Sequence, residues 1–207
     1  MKKAILLLVC VCLGFCVSCS RESQGKYIVS LIGLSREGKE FSVSVEAVTV
    51  HSEDSERDIE NIVFKGKAKS ISEAFSQAYN KSAAAFSLEH CAVIVLDETL
   101  ETEDIRKMLI FCENRTELTR AVAFVRTKST GELLKAKPFS SVALGFDIVQ
   151  ILATQHSEKK AEFKNRYYEI FESVLEKEGF NALPKFSVSD DKVYLEEDEA
   201  NQRKTKL

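Results

Sequence analysis

Apolar and polar residues alternate most regularly near the start of the chain. In "EFSVSVEAVTV", residues 40–50, Phe41, Val43, Val45 and Ala47 alternate with Ser42, Ser44 and Glu46. A strand over this stretch has one buried and one wet face along its first part. The phase then slips, because Val48 and Val50 flank Thr49; the strand either carries a bulge near Ala47 or becomes covered on both faces at its end. The preceding run, "KYIVSLIGLS", is rich in β-branched residues and leads into "REGKE", where Gly38 suits the positive φ of a hairpin turn. The two runs are expected to pair as antiparallel neighbours. "HSEDSERDIEN" reads next as an acidic, solvated loop, and "IVFKGKAKS" as a third short strand.

The period then changes. Ser70 followed by Glu73 is a capping-box pattern, and Ile71, Ala74, Phe75, Ala78 and Tyr79 form one apolar helical face. "CAVIVL", after His90, is a buried strand. "TEDIRKMLIFCEN" is an amphipathic helix with Thr102 as N-cap and Ile105, Met108, Leu109 and Cys112 inward, and "RAVAFVRT" is another strand, which makes a β-α-β unit. "STGELLKAKPF" is a short helix stopped by Pro138. One or two further helices follow in "GFDIVQILATQ" and "KKAEFKNRYYEIFESVLEKEGF", the latter with Phe163, Tyr167, Ile170, Phe171, Val174 and Leu175 at core spacing and an end at Gly179. "LPKFSVSDDKVYLE" offers two short strands joined at Asp190-Asp191, with no partner sequence after them to complete a sheet, and the chain then becomes a charged tail. The expected fold class is α+β: a mixed, mainly antiparallel β-sheet flanked by α-helices.

The first 18 residues have a different layout. Lys2 and Lys3 precede an uncharged apolar run from Ala4 to Val17, and polar sequence begins at Ser18, the order of a secretory signal peptide. About 14 apolar residues fall short of the roughly 20 needed to span a bilayer. "Val17-Ser18-Cys19" resembles a bacterial lipobox with Cys16 in the place usually held by Leu, which makes Cys19 the candidate lipidation site. On this reading Cys10, Cys12 and Cys16 are small hydrophobes in a discarded leader. An ordinary signal peptide cut elsewhere, or an uncleaved anchor, is the alternative. The expected organisation is a signal peptide over 1–18, a lipid-proximal tether over 19–25, an α/β domain over 26–180, and the start of a second domain with a charged tail over 181–207.

Charge narrows the function classes. The 207-residue chain has a net charge of −3 with both signs mixed along it, and so carries no electrostatic footprint for nucleic acid. After the leader only Cys19, Cys91 and Cys112 remain. Cys91 and Cys112 lie in apolar runs, as buried free thiols do, although a disulfide between them is the alternative. The chain lacks a phosphate-binding glycine loop, a CxxC pair, a zinc-type His/Glu spacing and a nucleophile elbow. His90-Cys91 are adjacent on an extended chain and point to opposite faces, which disfavours a dyad. His51, His90 and His156 share no ligand spacing. Glu53, Asp54, Glu56 and Asp58 lack the glycine and fixed spacing of a calcium loop. No catalytic residue, metal site or cofactor is expected.

Several of these segments, in this order, resemble the N-terminal domain of the Ger(x)C family, the lipoprotein C subunits of bacterial spore germinant receptors. The resemblance rests on "KYIVSLIGLSREGKEFSVSVEAVTV", "VFKGKAKSISEAF", "LEHCAVIVLDETL", "LLKAKPF" and "NALPKFSVSDDKVYLE", and covers residues 26–195. Family members usually carry "GCW" at the lipidation site, where this chain reads "SCSRE", and are about twice as long, so the chain is expected to stop just inside a truncated second domain. The resemblance implies a non-enzymatic, membrane-anchored lipoprotein at the outer face of the inner spore membrane. It implies contact with the A- and B-type integral-membrane subunits of the receptor, and with the membrane through the N-terminal lipid. An exported small-molecule-binding lipoprotein or enzyme is the competing class, and requires a deep pocket with convergent polar groups.

Overall fold

Gly38, at φ +63°, turns the chain between β1 (Tyr27–Glu37) and β2 (Glu40–Glu53), which pair antiparallel as the alternation implied. The computed structural model describes residues 26–53, 56–140, 142–159, 167, 169–170 and 183–196. The leader, the tether with Cys19, Asp54, most of the segment 160–182 with Phe163, Phe171, Val174, Leu175 and Gly179, and the end of the charged tail lie outside these residues.

β2 continues into a long antiparallel ladder with β3 (Glu56–Ala68), in register from Phe41↔Ala68 to Glu53↔Glu56. The stretch 51–61 is therefore mostly strand, not the solvated loop its composition suggested. Backbone pairing tolerates acidic residues at the end of a ribbon, and composition alone does not report that pairing. The irregularity expected near Ala47 is present, but on the neighbouring strand. Ser30 of β1 is passed over between Val29↔Ala47 and Leu31↔Glu46, while β2 runs on and is buried on both faces from Ser44 to Thr49.

The remaining elements are α1 (Ile71–Asn80), β4 (Phe86–Ser87), β5 (Val93–Asp97), α2 (Thr102–Glu113), β6 (Ala123–Thr127), α3 (Thr130–Leu133), α4 (Leu144–Lys159), β7 (Lys185–Ser189) and β8 (Lys192–Leu195). The strands form one eight-stranded mixed sheet in the order β3-β2-β1-β5-β6-β7-β8, with the short β4 also paired to β1. Its longest ladders, β1–β2 and β2–β3, are antiparallel, while β1, β5, β6 and β7 are parallel neighbours. The fold is α+β, and β5-α2-β6 is the expected β-α-β unit.

Two cores lie on the two faces of the sheet. On one, Ile32, Val45, Ile94 and Phe124 pack under α1 and α2 through Phe75, Ala78, Ile105 and Met108, joined by Ile170. α1 can lie close to β3 because Gly66 has no Cβ: one would collide with the backbone carbonyl of Ala74. On the other face, Leu31, Val93 and Val125 pack under α3 and α4 through Leu133, Leu144 and Ile148. Ser70 caps α1 as expected, its Oγ accepting from Glu73 N at 3.3 Å. The N-cap of α2 is Glu101 instead of Thr102, because the Asp104 carboxylate accepts from Glu101 N at 3.2 Å and fixes the turn one residue earlier. α3 ends at Leu133, well before Pro138.

The expected hairpin over 185–195 forms, turned at Asp190 and Asp191 with φ of 50° and 60°. It does not stand alone, which corrects the expectation that it lacks a partner. β7 pairs with β6 through Arg126↔Lys185 and Thr127↔Phe186, Arg126 N donates to Pro184 O at 2.9 Å, and Phe186 is wholly buried in the second core. The boundary expected near residue 180 does not interrupt the sheet. The open edge of β6 supplies the pairing that residues after 195 were expected to supply.

Candidate functional site

Of the four buried carboxylates among the described residues, Glu46, Asp97 and Asp104 are surrounded by donors that belong to the fold, whereas Asp147 accepts at Oδ2 from Phe139 N at 2.7 Å and Ser140 N at 3.4 Å and leaves its Oδ1 without a partner. Glu46 stands on the β2 face that alternation assigned to solvent, yet it is only 2% exposed. Its Oε1 accepts from Asn61 Nδ2 at 2.8 Å and Leu144 N at 3.0 Å, and its Oε2 from Ser30 Oγ at 2.5 Å and Gly145 N at 2.9 Å. Leu144 and Gly145 open α4, where the first N–H groups have no acceptor within the helix. The carboxylate supplies that acceptor from 98 residues away and favours the positive end of the helix dipole. The β1 bulge places the Ser30 hydroxyl at the same point. Gly145 must lack a Cβ there, since one would meet the Ser30 carbonyl.

Asp104 is fully buried at the start of α2. Both its oxygens accept from the Arg36 guanidinium of β1, at 2.8 and 2.7 Å, and Lys107 Nζ lies 3.5 Å away. Burial on its own pushes the carboxyl pKa up. The Arg36 bonds, the Glu101 N–H and Lys107 outweigh it and hold Asp104 below the ordinary carboxylate range. The Arg36 guanidinium also lies over the Phe41 ring, 5.4 Å from its centroid. At the end of β5, Asp97 accepts from Thr99 N at 3.0 Å and from Thr130 N at 2.8 Å, and so ties α3 to the sheet.

The residues singled out by sequence are dispersed. His90 is exposed in the turn before β5, while Cys91 is buried with its Sγ directed at Val93 O, 3.7 Å away. Burial pushes the Cys91 thiol up to about 12, and the Cys112 thiol rises further for the same reason, so both are protonated at neutral pH. Both are free, which decides between thiols and a disulfide. His51 lies on β2 opposite Asp58, and His156 on α4. Glu53, Glu56 and Asp58 are ribbon positions. Among the described residues no three His, Cys, Asp or Glu side chains converge as a metal site. Cys19 lies outside them.

A groove of about 270 Å³ runs along the end of α2 and the following loop, lined by Cys112, Glu113, Arg115, Leu118, Arg120 and Tyr167. Chemically, Glu46, Asp97 and Asp104 fasten elements together: their oxygens are engaged by donors of the protein itself. Sequence reasoning missed all three. The one available signal was a lone acid, Glu46, in an otherwise small and apolar strand, and it was assigned to the wet face.

Compared with known families, residues 20–188 match the family model described as the spore germination protein N-terminal domain. Neither a curated protein nor a solved structure matches the chain significantly.

Proposed function

The chain belongs to the spore germination protein N-terminal domain family, and from this premise we propose that it is a membrane-anchored, non-enzymatic lipoprotein component of a spore germinant receptor. The observation that carries the reading is the extent of the family match, residues 20–188, which begins one residue after Cys19. A role in spore germination follows from the family. The anchor, the partners and the location are the proposed steps.

Cys19 ends an apolar, lysine-led leader behind two small residues, and is the residue proposed to carry the lipid. One acyl chain binds a membrane only marginally, whereas two hold it stably, so a diacylated Cys19 keeps the domain at the outer face of the inner spore membrane. No helix among the described residues is long and apolar enough to cross a membrane. The domain then meets the A- and B-type integral-membrane subunits as a rigid folded surface. The non-enzymatic reading is supported by the use made of three buried acids and of the thiols: Glu46, Asp97 and Asp104 fasten helices to strands, and the thiols stay protonated.

The test is fractionation and co-purification from spore membranes, with Cys19→Ala beside the unaltered chain. The expected result is membrane association and recovery with the integral-membrane subunits, both lost or reduced in the variant, together with a mass difference that reports the lipid. Unchanged mass and fractionation in Cys19→Ala refutes the lipid anchor. An unaltered chain that reaches the membrane but never travels with those subunits refutes the receptor role.

A further inference from the structure

Two arginines at the end of α2 have no counter-charge. The groove there is lined by Arg115, Arg120, Thr116 and Thr119, with Glu113 as its one acid among the described residues. The Arg115 guanidinium lies over the rings of Phe75 and Phe111, 5.0 and 5.2 Å from their centroids, so it is held in place by aromatic faces and not by a carboxylate. Arg120 is exposed. Neither guanidinium makes an ion pair or a side-chain hydrogen bond among the described residues. Arg36, Arg106 and Arg126, by contrast, each reach a carboxylate.

The topology places this groove at the end of the sheet where the tether joins. β1, β5 and β6 run parallel, so the loop 114–122 before β6 lies at the same end as Tyr27, the first residue of β1. β6 is two strands from β1, about 10 Å away. Cys19 precedes Tyr27 by eight residues, which span at most about 28 Å. A lipid on Cys19 therefore keeps this end of the domain close to the bilayer surface. The acidic positions of the β2–β3 ribbon lie at the far edge of the sheet, with β1 and β5 between them and β6.

We infer that the groove seats the phosphate of an anionic phospholipid headgroup between Arg115 and Arg120, so that the domain meets the membrane by this corner. The inference rests on the lipid-anchor reading, which brings the groove to the surface. Guanidinium groups match the oxygens of a phosphate with paired, charge-assisted hydrogen bonds, and the Thr116 and Thr119 hydroxyls are further donors. The chain as a whole carries a charge of −3 and is repelled by an anionic surface, so any attraction to it has to be local.

The experiment is flotation of the full chain with vesicles of phosphatidylcholine alone and of phosphatidylcholine with an equal part of phosphatidylglycerol. Insertion of the N-terminal anchor reads as binding to both compositions, and the difference between them reads the groove. The expected result is partition about 25-fold stronger to the anionic vesicles, a preference that fades as salt is raised. Arg115→Gln and Arg120→Gln are each expected to reduce the preference about fivefold, and the exposed Arg120 can be replaced without loss of the fold. Lys39→Gln makes the same charge change in the β1–β2 turn, at the opposite end of the sheet, and is expected to leave the preference unchanged. Anionic preference without binding to phosphatidylcholine refutes the anchor and keeps the groove. Equal binding to both vesicles, binding to neither, or a Lys39→Gln effect as large as that of Arg120→Gln overturns the inference. Loss of the preference in millimolar inorganic phosphate at matched ionic strength overturns the headgroup assignment and makes the groove a site for the free anion.

Discussion

Replacing Glu46 tests whether the polar side of the fold is organised as described. In Glu46→Ala four donors lose their acceptor at once: the N–H groups of Leu144 and Gly145, the Asn61 amide and the Ser30 hydroxyl. Ser30 Oγ has a second acceptor within reach, Glu46 O at 3.4 Å, and Asn61 is exposed enough to turn toward water. The cost therefore falls on the two backbone N–H groups, which cannot move without moving α4. A buried donor left without a partner costs about 1–3 kcal/mol, so the pair sets about 2–6 kcal/mol for Glu46→Ala. Against a total of about 5–15 kcal/mol for a domain, that is a large fraction. Glu46→Gln keeps one carbonyl acceptor but turns an NH₂ toward two of the donors, and is expected to cost about 1–3 kcal/mol. Urea denaturation of both variants beside the unaltered chain measures this, and hydrogen exchange at Leu144 and Gly145 localises it. A Glu46→Ala cost below about 1 kcal/mol, or loss of protection spread evenly over the sheet, refutes the assignment of Glu46 as the long-range cap of α4.

Phe186→Ala is expected to destabilise the chain by about 3–5 kcal/mol in the same assay, because the ring is wholly buried in the core under α3 and α4; a near-neutral result would detach β7 and β8 from the core. Asp104 titrates below its unfolded value, so its contribution to stability is complete above the unfolded pKa and is lost as pH falls through the folded pKa. Arg36→Ala removes the side-chain bonds that do most to oppose burial at Asp104, leaving only the Glu101 N–H and Lys107, and should move the acid limb of the stability–pH profile to higher pH, which denaturation midpoints between about pH 3 and 7 will register. The Cys91 thiol, pushed up to about 12 by burial, should react with an alkylating agent at neutral pH only as fast as the protein opens, and labelling that is rapid without denaturant would contradict its burial.

Local pattern alone determined much of this protein. The alternation of Phe41, Val43, Val45 and Ala47, the turn at Gly38, the Ser70 cap and the helical spacing of Ile105, Met108 and Leu109 each depend on residues a few positions apart. Period and cap chemistry are readable at that range, and β1, β2, α1 and α2 formed as expected. Burial of the supposedly wet face of β2 was not readable. Alternation shows which face is apolar, not whether the other face is covered, and Ser44 and Glu46 look the same beneath water as beneath α4. The described residues of the acidic stretch, 51–53 and 56–61, are strand because β2 and β3 pair there, and composition carries no record of that pairing. The place of β7 beside β6 and the meeting of Glu46 with Leu144 join residues 59 and 98 positions apart. Those contacts exist only once the sheet has brought the elements together, because the donors that make a buried carboxylate tolerable are supplied by distant backbone, and no short-range pattern in the chain encodes their arrival.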